Sequence, residues 1–173
     1  MIKHKEQRVA VFIDVQNLYY SARHLFSTHV DFSRVVKEGV SDRRLIRAIA
    51  YVVRTEGEDE KPFLEALQSR GLETRERDLQ IFYGGNKKAD WDVGITIDCV
   101  RICDLVDVVI LVSGDGDFVP LVEYLKQRGR QVEVMAFRKT TSTKLFEIAD
   151  IFTDLAEPQF LIAQRNKSKG RKK

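Results

Sequence analysis

Four aspartates occupy positions from which their carboxylates could meet in one crevice. Asp14 ends one continuous apolar run, and Asp115 and Asp117 directly follow a second; Asp92 lies near the start of a predicted helix that follows a glycine-containing loop. Converging carboxylates repel one another unless a cation neutralises them. Oxygen ligands without Cys or His partners suit Mg²⁺ or Mn²⁺. The pattern therefore predicts a divalent metal site that can activate water and orient a phosphodiester.

These residues have two other interpretations. An Asp that follows a strand is often only a helix N-cap, and the segment SGDGD could be turn chemistry alone. Asp14 together with Asp115 and Asp117, after two buried strands, is harder to explain in that way. A phosphatase of the HAD-like type also begins with a strand-end Asp, but it expects a second Asp two residues later, where this chain has Gln16.

No competing catalytic or metal-binding arrangement is evident in the sequence. The three histidines, at positions 4, 24 and 29, are all far in sequence from these strand ends, so no Ser/His/Asp or Cys/His pattern emerges. Cys99 and Cys103 are four residues apart in a helical pattern, with no second cysteine pair to complete a structural zinc site. We interpret both cysteines as buried core thiols.

The elements that must position the aspartates alternate between apolar runs and helical patterns, which is typical of a parallel α/β sheet. We predict an α/β fold, a three-layer α/β/α sandwich with a mainly parallel central sheet. Clear strands are predicted at residues 9–13, 106–112 and 132–137, an exposed strand at 73–83, and an ambiguous β-rich segment at 45–53. Helices are predicted at residues 15–25, 31–38, 62–70, 90–103, about 118–128 and 142–149; residues 151–162 are left unassigned. Ligands bind such sheets beyond the carboxyl ends of the strands, at a topological switch point, which is where Asp14 and Asp115 would meet.

Charge divides the chain into a domain, residues 1–162, and a basic tail, residues 163–173. Six of the 29 Lys and Arg residues fall in the last nine positions, so the remainder carries 23 basic against 26 acidic residues. The domain alone is therefore not a basic nucleic-acid binder. The tail is predicted to be disordered, and either adds nonspecific phosphate affinity or acts as a solubilising end. No apolar run approaches a membrane span and the N-terminus is polar, so a cytoplasmic location is expected by default.

Four segments of the chain together resemble the NYN domain of the PIN-like nuclease superfamily. VFIDVQNLYY is similar to the opening motif of that family, KKADWDVGITIDCV to its second, LVSGDGDFVPLVEYLKQRGRQVEV to its third, and TSTKLFEIADIFTDL to its closing segment. The match is closest to the LabA/DUF88 branch and runs from about residue 8 to residue 155. The resemblance implies a PIN-like, Rossmann-like fold and a Mg²⁺- or Mn²⁺-dependent endoribonuclease acting on RNA, expected to be single-stranded.

The resemblance also implies roles for individual residues. Asp14 would be the first metal ligand, Asp92 the second and Asp115 the third. Asp117 would bind the metal directly or support a ligand. Asn17 would orient a ligand water or contact the scissile phosphate, so these five residues are the predicted catalytic set.

Four residues around this set have supporting predictions. Ser142 matches the serine of the closing segment and would contact substrate, although it could equally be only the N-cap of the last helix. Lys87 and Lys88 precede the acidic motif and could hold a substrate phosphate, or could belong to a solvated loop. The family pattern pairs Asp92 with Asp98, yet six residues on a helix separate side chains by about 120°. We therefore expect Asp98 to be structural, hydrogen-bonded inside the fold.

Three questions stay open at the level of sequence. The runner-up to a ribonuclease is a noncatalytic or weakly active RNA-binding or regulatory module with the same fold. Four aromatic residues are candidates for stacking on bases, although most aromatics at such spacings belong to a core: Tyr19, Tyr20, Tyr83 and Trp91. The exposed strand at residues 73–83 could be a sheet edge that pairs with a second copy, which would produce a homodimer.

Overall fold

The computed structural model describes residues 3–54, 61–78, 80–81, 87–88 and 90–162. Its strands are β1 Arg8–Asp14, β2 Arg44–Arg54, β3 Glu73–Asp78, β4 Gln80–Ile81, β5 Lys87–Lys88, β6 Val108–Val112, β7 Gln131–Ala136 and β8 Ile151–Asp154. Its α-helices are α1 Val15–Phe26, α2 Phe32–Val40, α3 Lys61–Gln68, α4 Asp92–Ile102, α5 Val119–Gln127 and α6 Thr143–Ile148.

Six strands form one parallel sheet in the order β3-β2-β1-β6-β7-β8, and β4 and β5 pair separately and antiparallel. The chain winds outward from β1 to β3 on one side, and then from β6 to β8 on the other. β1 and β6 are neighbours, with Ile13 opposite Val112 in the register. The topological switch point therefore lies between the ends of β1 and β6.

Two apolar cores cover the two faces of this sheet and make it the middle of three layers. One core contains side chains of α1, α2 and α3, and the other contains side chains of α4, α5 and α6. Both faces of β1 and β6 are buried, which explains why these strands are almost uninterrupted runs of apolar residues. The predicted three-layer α/β/α fold with a mainly parallel sheet is confirmed.

The structure resolves the segments that the sequence left ambiguous. β2 spans the whole β-rich segment, and the unassigned C-terminal region contributes β8, a four-residue strand. The predicted strand at residues 73–83 is divided in the structure: β3 ends at Asp78 at the edge of the sheet and Gln80–Ile81 forms β4, while residues 79, 82 and 83 lie outside the described residues. Lys87–Lys88 pairs with Gln80–Ile81, so the backbone of these two residues is a short strand and not part of the loop that was one alternative for them. In the described part of the chain, every helix is too short or too polar to cross a membrane.

A buried ion pair joins elements at the amino end of the sheet. Arg43, just before β2, places Nη1 2.6 Å from Oε1 of Glu133 on β7 and Nη2 3.0 Å from its Oε2. Their side chains are only 1% and 4% exposed. Gln131 Nε2 donates to the same carboxylate at 2.7 Å, and Arg43 Nε donates to the Val40 carbonyl at 3.2 Å. Both buried charges are thus paired and hydrogen-bonded, as burial requires.

Candidate metal centre

The centre begins where β1 passes into α1. Asp14 is the last residue of the strand and the N-cap of the helix, and its Oδ1 accepts a hydrogen bond from the Asn17 backbone N–H at 3.1 Å. Its side chain is nearly enclosed, because the residue is only 8% exposed. Burial raises the pKa of Asp14, the Asn17 N–H opposes that rise, and the charge of Asp115 adds to it. A buried carboxylate of this kind gains most from a nearby cation.

The loop after β6 lies against the end of β1. Ser113 is fully buried; its hydroxyl oxygen lies 3.4 Å from Oδ2 of Asp14, to which it donates, and accepts from the Asp115 N–H at 3.2 Å. The side-chain oxygen of Asn17 accepts from the Gly114 N–H at 3.1 Å. The two strand ends are therefore joined by side-chain hydrogen bonds on both sides of Asp14.

Three of the predicted ligands converge within the reach of one ion. One carboxylate oxygen from each of Asp92, Asp115 and Asp117 lies within 4.8 Å of the other two. Asp115 also caps the turn that follows it, accepting from the Asp117 N–H at 3.0 Å. Asp14 is not a member of this three-residue group, but its negative charge affects the pKa of Asp92, which is a member. Burial raises the pKa of Asp92 to about 6, with further contributions from Asp115 and Asp14.

The donor set fits a hard divalent cation. It consists of carboxylate oxygens only, with no thiolate or imidazole, and oxygen ligands are those that Mg²⁺ and Mn²⁺ take. In the described part of the chain, none of the four aspartates makes an ion pair with Lys or Arg. A cation bound at this position would relieve the mutual repulsion of the carboxylates.

Asp98, also on α4, makes its contacts elsewhere. Its Oδ2 accepts from the Tyr51 hydroxyl at 2.8 Å and lies 3.1 Å from Nε of Arg75. The Tyr51 ring makes an edge contact with Trp91, the residue before Asp92, with centroids 5.3 Å apart. Asp98 therefore helps to hold α4 on the sheet rather than joining the acidic group.

Ser142 lies against the loop after β6. Its N–H donates to the Gly114 carbonyl at 3.0 Å, and a Cβ added at Gly116 would come within 2.9 Å of the Ser142 hydroxyl oxygen. Ser142 occupies the N-cap position of α6, but its side chain makes no capping hydrogen bond. Its hydroxyl is thus placed beside the acidic loop without serving as a cap.

Lys87 and Lys88 form β5 by backbone pairing, but their side chains lie outside the described residues. Their predicted contact with a substrate phosphate stays a prediction.

Two supporting residues were missed at the level of sequence, Ser113 and Arg77. Ser113 precedes GDGD directly and could have been recognised as a strand-end hydroxyl. Arg77, on the edge strand β3, donates from Nη1 to the Asp90 carbonyl at 2.8 Å, and its guanidinium carbon lies 4.7 Å from the Trp91 ring centroid. It thereby holds the segment that leads into Asp92. Only the alternation of β3 indicated that Arg77 shares a face with Arg75.

Comparison with known proteins agrees with this fold and site. The family model of the NYN domain matches residues 8–156, so the chain belongs to the NYN domain family, whose members are generally nucleases. It is 28% identical over 159 residues to the low amplitude and bright protein LabA of Synechococcus elongatus, covering 87% of this chain and 85% of that protein. The crystal structure of a Vibrio parahaemolyticus protein of unknown function is similar with a TM-score of 0.84 and 34% identity, covering 94% of this chain and all 100% of that one.

Proposed function

We propose that this chain is a Mg²⁺- or Mn²⁺-dependent endoribonuclease that hydrolyses phosphodiester bonds of RNA. The observation that carries the proposal is the convergence of Asp92, Asp115 and Asp117 within 4.8 Å, at the switch point of the sheet. Membership of the NYN family supports nuclease chemistry at this position. RNA as the substrate follows from the family resemblance.

In this proposal Asp92, Asp115 and Asp117 would hold the cation, and Asp14 would be a fourth acidic ligand. The cation supplies Lewis-acid activation of water and neutralises the charge that develops on the phosphate. Asn17 donates from its side-chain amide nitrogen to a phosphate oxygen while its amide oxygen stays bonded to Gly114.

Outside the acidic group, the chain's own residues receive the substrate. The Ser142 hydroxyl, which lies beside the acidic loop, donates to the scissile phosphate. Lys87 and Lys88 neutralise neighbouring phosphates. The basic tail, residues 163–173, adds nonspecific affinity for RNA, and the edge strand β3 pairs with a second copy in a homodimer.

The experiment that tests the proposal is cleavage of a single-stranded RNA by purified protein across Mg²⁺, Mn²⁺ and a chelator. We expect cleavage that requires the metal and falls by about 10²–10³-fold or more in Asp14→Asn. The substitution keeps a side-chain oxygen that can cap α1, so the fold is expected to persist. Asp42→Asn is the matched control, because Asp42 is exposed in the turn before β2, at the opposite end of the sheet.

Two outcomes would contradict the proposal. Equal cleavage by Asp14→Asn and the unaltered protein would assign the activity to a contaminant. Tight RNA binding with no cleavage under any metal would favour the noncatalytic RNA-binding module instead.

A further inference from the structure

Of the three described aromatic residues that could stack on bases, Tyr20 is the one that the structure leaves available. Trp91 is half-buried, and its indole N–H donates to the Val52 carbonyl at 3.0 Å. Tyr83 lies outside the described residues. Tyr19 is half-buried, and its hydroxyl oxygen accepts from an arginine of the next helical turn at 2.7 Å. Tyr20, by contrast, is 57% exposed.

Tyr20 lies about one helical turn after Asn17, the α1 residue whose side chain is bonded to Gly114 beside the acidic loop. Residues three apart on an α-helix are neighbours on its surface, with Cβ atoms about 5–6 Å apart, so Tyr20 follows Asn17 on α1. Its ring makes an edge contact with the ring of Tyr19, with centroids 5.6 Å apart and planes at 77°. Since Tyr19 is itself held by Arg23, the Tyr20 ring is supported on one side and open to solvent.

An exposed lysine, Lys139, lies on the loop between β7 and α6, which contacts α1. The Ser21 and Thr140 hydroxyl oxygens are 3.2 Å apart, which joins α1 to the loop between β7 and α6. Tyr20 and Lys139 are each next in sequence to one of these two residues, and Lys139 is exposed. Along the sheet this loop follows the β7 end, immediately beside the loop that carries Asp115.

We propose that Tyr20 and Lys139 form a nucleotide-binding subsite beside the acidic group, in which Tyr20 stacks on an unpaired base and Lys139 contacts a phosphate. The inference rests on the proposed function and names the substrate as unpaired rather than duplex RNA. An aromatic platform combined with a basic loop is the arrangement by which proteins bind single strands without reading their sequence. A base held in a duplex offers no free face to such a ring.

The stacking is tested by steady-state cleavage of a short unpaired RNA by Tyr20→Ala, Tyr20→Phe and the unaltered protein. We expect Tyr20→Ala to raise KM by about tenfold to one hundredfold, with kcat changed much less. Tyr20→Phe should behave as the unaltered protein, because stacking needs the ring and not the hydroxyl. Tyr124→Ala is the matched control, since Tyr124 is a 39% exposed tyrosine in the second half of α5.

The phosphate contact is tested by the salt dependence of RNA binding. Removing one phosphate contact from a single strand should lower the slope of log affinity against log salt by about 0.7, and we expect this of Lys139→Ala. Lys37→Ala is the control, because Lys37 is exposed in the last turn of α2, ahead of the amino end of the sheet. Equal slopes for both variants would remove Lys139 from the subsite.

The outcomes separate this inference from the proposed function. If the unaltered protein cleaves RNA and Tyr20→Ala has the same KM, the subsite is wrong and the ribonuclease stands. If Tyr20→Phe is as impaired as Tyr20→Ala, the hydroxyl acts and stacking is wrong. If the unaltered protein does not cleave, the proposed function fails. Fluorescence anisotropy with the same RNA then decides the subsite, and an unchanged Kd in Tyr20→Ala overturns it.

Discussion

The two ends of the sheet differ in the charge that lies next to a buried carboxylate. At the amino end, Glu133 is buried against Arg43, with the two charged groups 2.6 Å apart. At the carboxyl end, Asp14 is also buried, but its charged neighbour is another carboxylate, Asp115, and both its burial and that neighbour raise its pKa. At the amino end, the buried carboxylate is therefore neutralised by a residue of the same chain.

The buried charge at the amino end is compensated by a neighbouring residue, whereas the buried charge at the carboxyl end lies where we propose that a metal ion binds. Acid beside acid destabilises a protein, because each ionised group disfavours ionisation of the next. The carboxyl end accepts that cost at the switch point, where ligands bind open α/β sheets. At the amino end, the buried charges of Arg43 and Glu133 compensate each other. Changes at the two ends should therefore separate stability from activity.

The largest expected effect is on stability at the amino end. Arg43→Ala removes the buried partner of Glu133 and leaves only Lys3, whose Nζ is 3.8 Å from Oε2 of Glu133. Breaking a buried pair in this way costs about 3–5 kcal/mol of the free energy of unfolding. For a domain of this size that corresponds to a decrease in Tm of about 6–20 °C. Thermal unfolding followed by circular dichroism measures it.

RNA cleavage per folded molecule, measured well below the lowered Tm, should stay unchanged in Arg43→Ala. The double variant Arg43→Met with Glu133→Leu is the control, since replacing both charges with apolar groups leaves no unpaired carboxylate. A double variant as unstable as Arg43→Ala would show that packing around Arg43 matters more than its charge.

The next effect is metal-dependent stability at the carboxyl end. An ion that binds only the folded protein adds about 2.7 kcal/mol at one hundred times its Kd, which raises Tm by about 5–10 °C. We expect this rise with Mn²⁺ or Mg²⁺ and expect Asp115→Asn to remove most of it. Asp98→Asn is the matched control on α4, because Asp98 is bonded to Tyr51 and Arg75 instead. A metal shift lost equally in both variants would place the ion elsewhere.

The smallest effect is a dependence of stability on pH. The folded protein raises the pKa of Asp92 to about 6 from an ordinary value of 3.8, so the fold holds this proton more tightly than the unfolded chain does. The contribution of Asp92 therefore favours folding at low pH and is lost as pH rises from about 4 to about 6 in metal-free protein. Tm measured over this pH range tests whether stability falls as pH rises, and Asp92→Asn should make the decrease in Tm smaller.

Metal should act with the opposite sign over the same range. Binding requires ionised carboxylates and releases protons, so the Tm rise caused by Mn²⁺ should grow between pH 5 and 7. A metal-induced rise that is constant over this range would argue against Asp92 as a ligand.

The fold could be predicted from the sequence because its central strands are buried on both faces. Continuous apolar runs such as β1 and β6 have few alternative explanations when each is followed by a helical pattern. The segment at residues 45–53 was ambiguous because of its Ala and Arg content, with alanines at positions 48 and 50 and a half-buried arginine at position 47. β8 was missed because it is only four residues long and half-buried throughout.

The candidate site was predictable where a strand end fixed the position of a side chain. The positions of Asp14 and Asp115 could be predicted from the order of the strands alone. Predicting the position of Asp92 also required the family resemblance, because the helix that carries it could direct its side chain toward or away from the strand ends. The partners of Asp98 could not be predicted, since Tyr51 and Arg75 come from two other strands. Long-range contacts of this kind depend on packing angles that no local pattern encodes.

One set of contacts limits how this site can be altered. Asn17 after β1 is bonded to Gly114 after β6 at 3.1 Å, and Ser142 after β7 is bonded to the same glycine at 3.0 Å. A methyl group at Gly114 would come within 3.2 Å of the Thr141 backbone. The loops after β1, β6 and β7 are therefore held together through Gly114. An engineer who wished to transplant this centre to another parallel sheet would have to move all three together, since a single grafted loop would arrive without its counterparts.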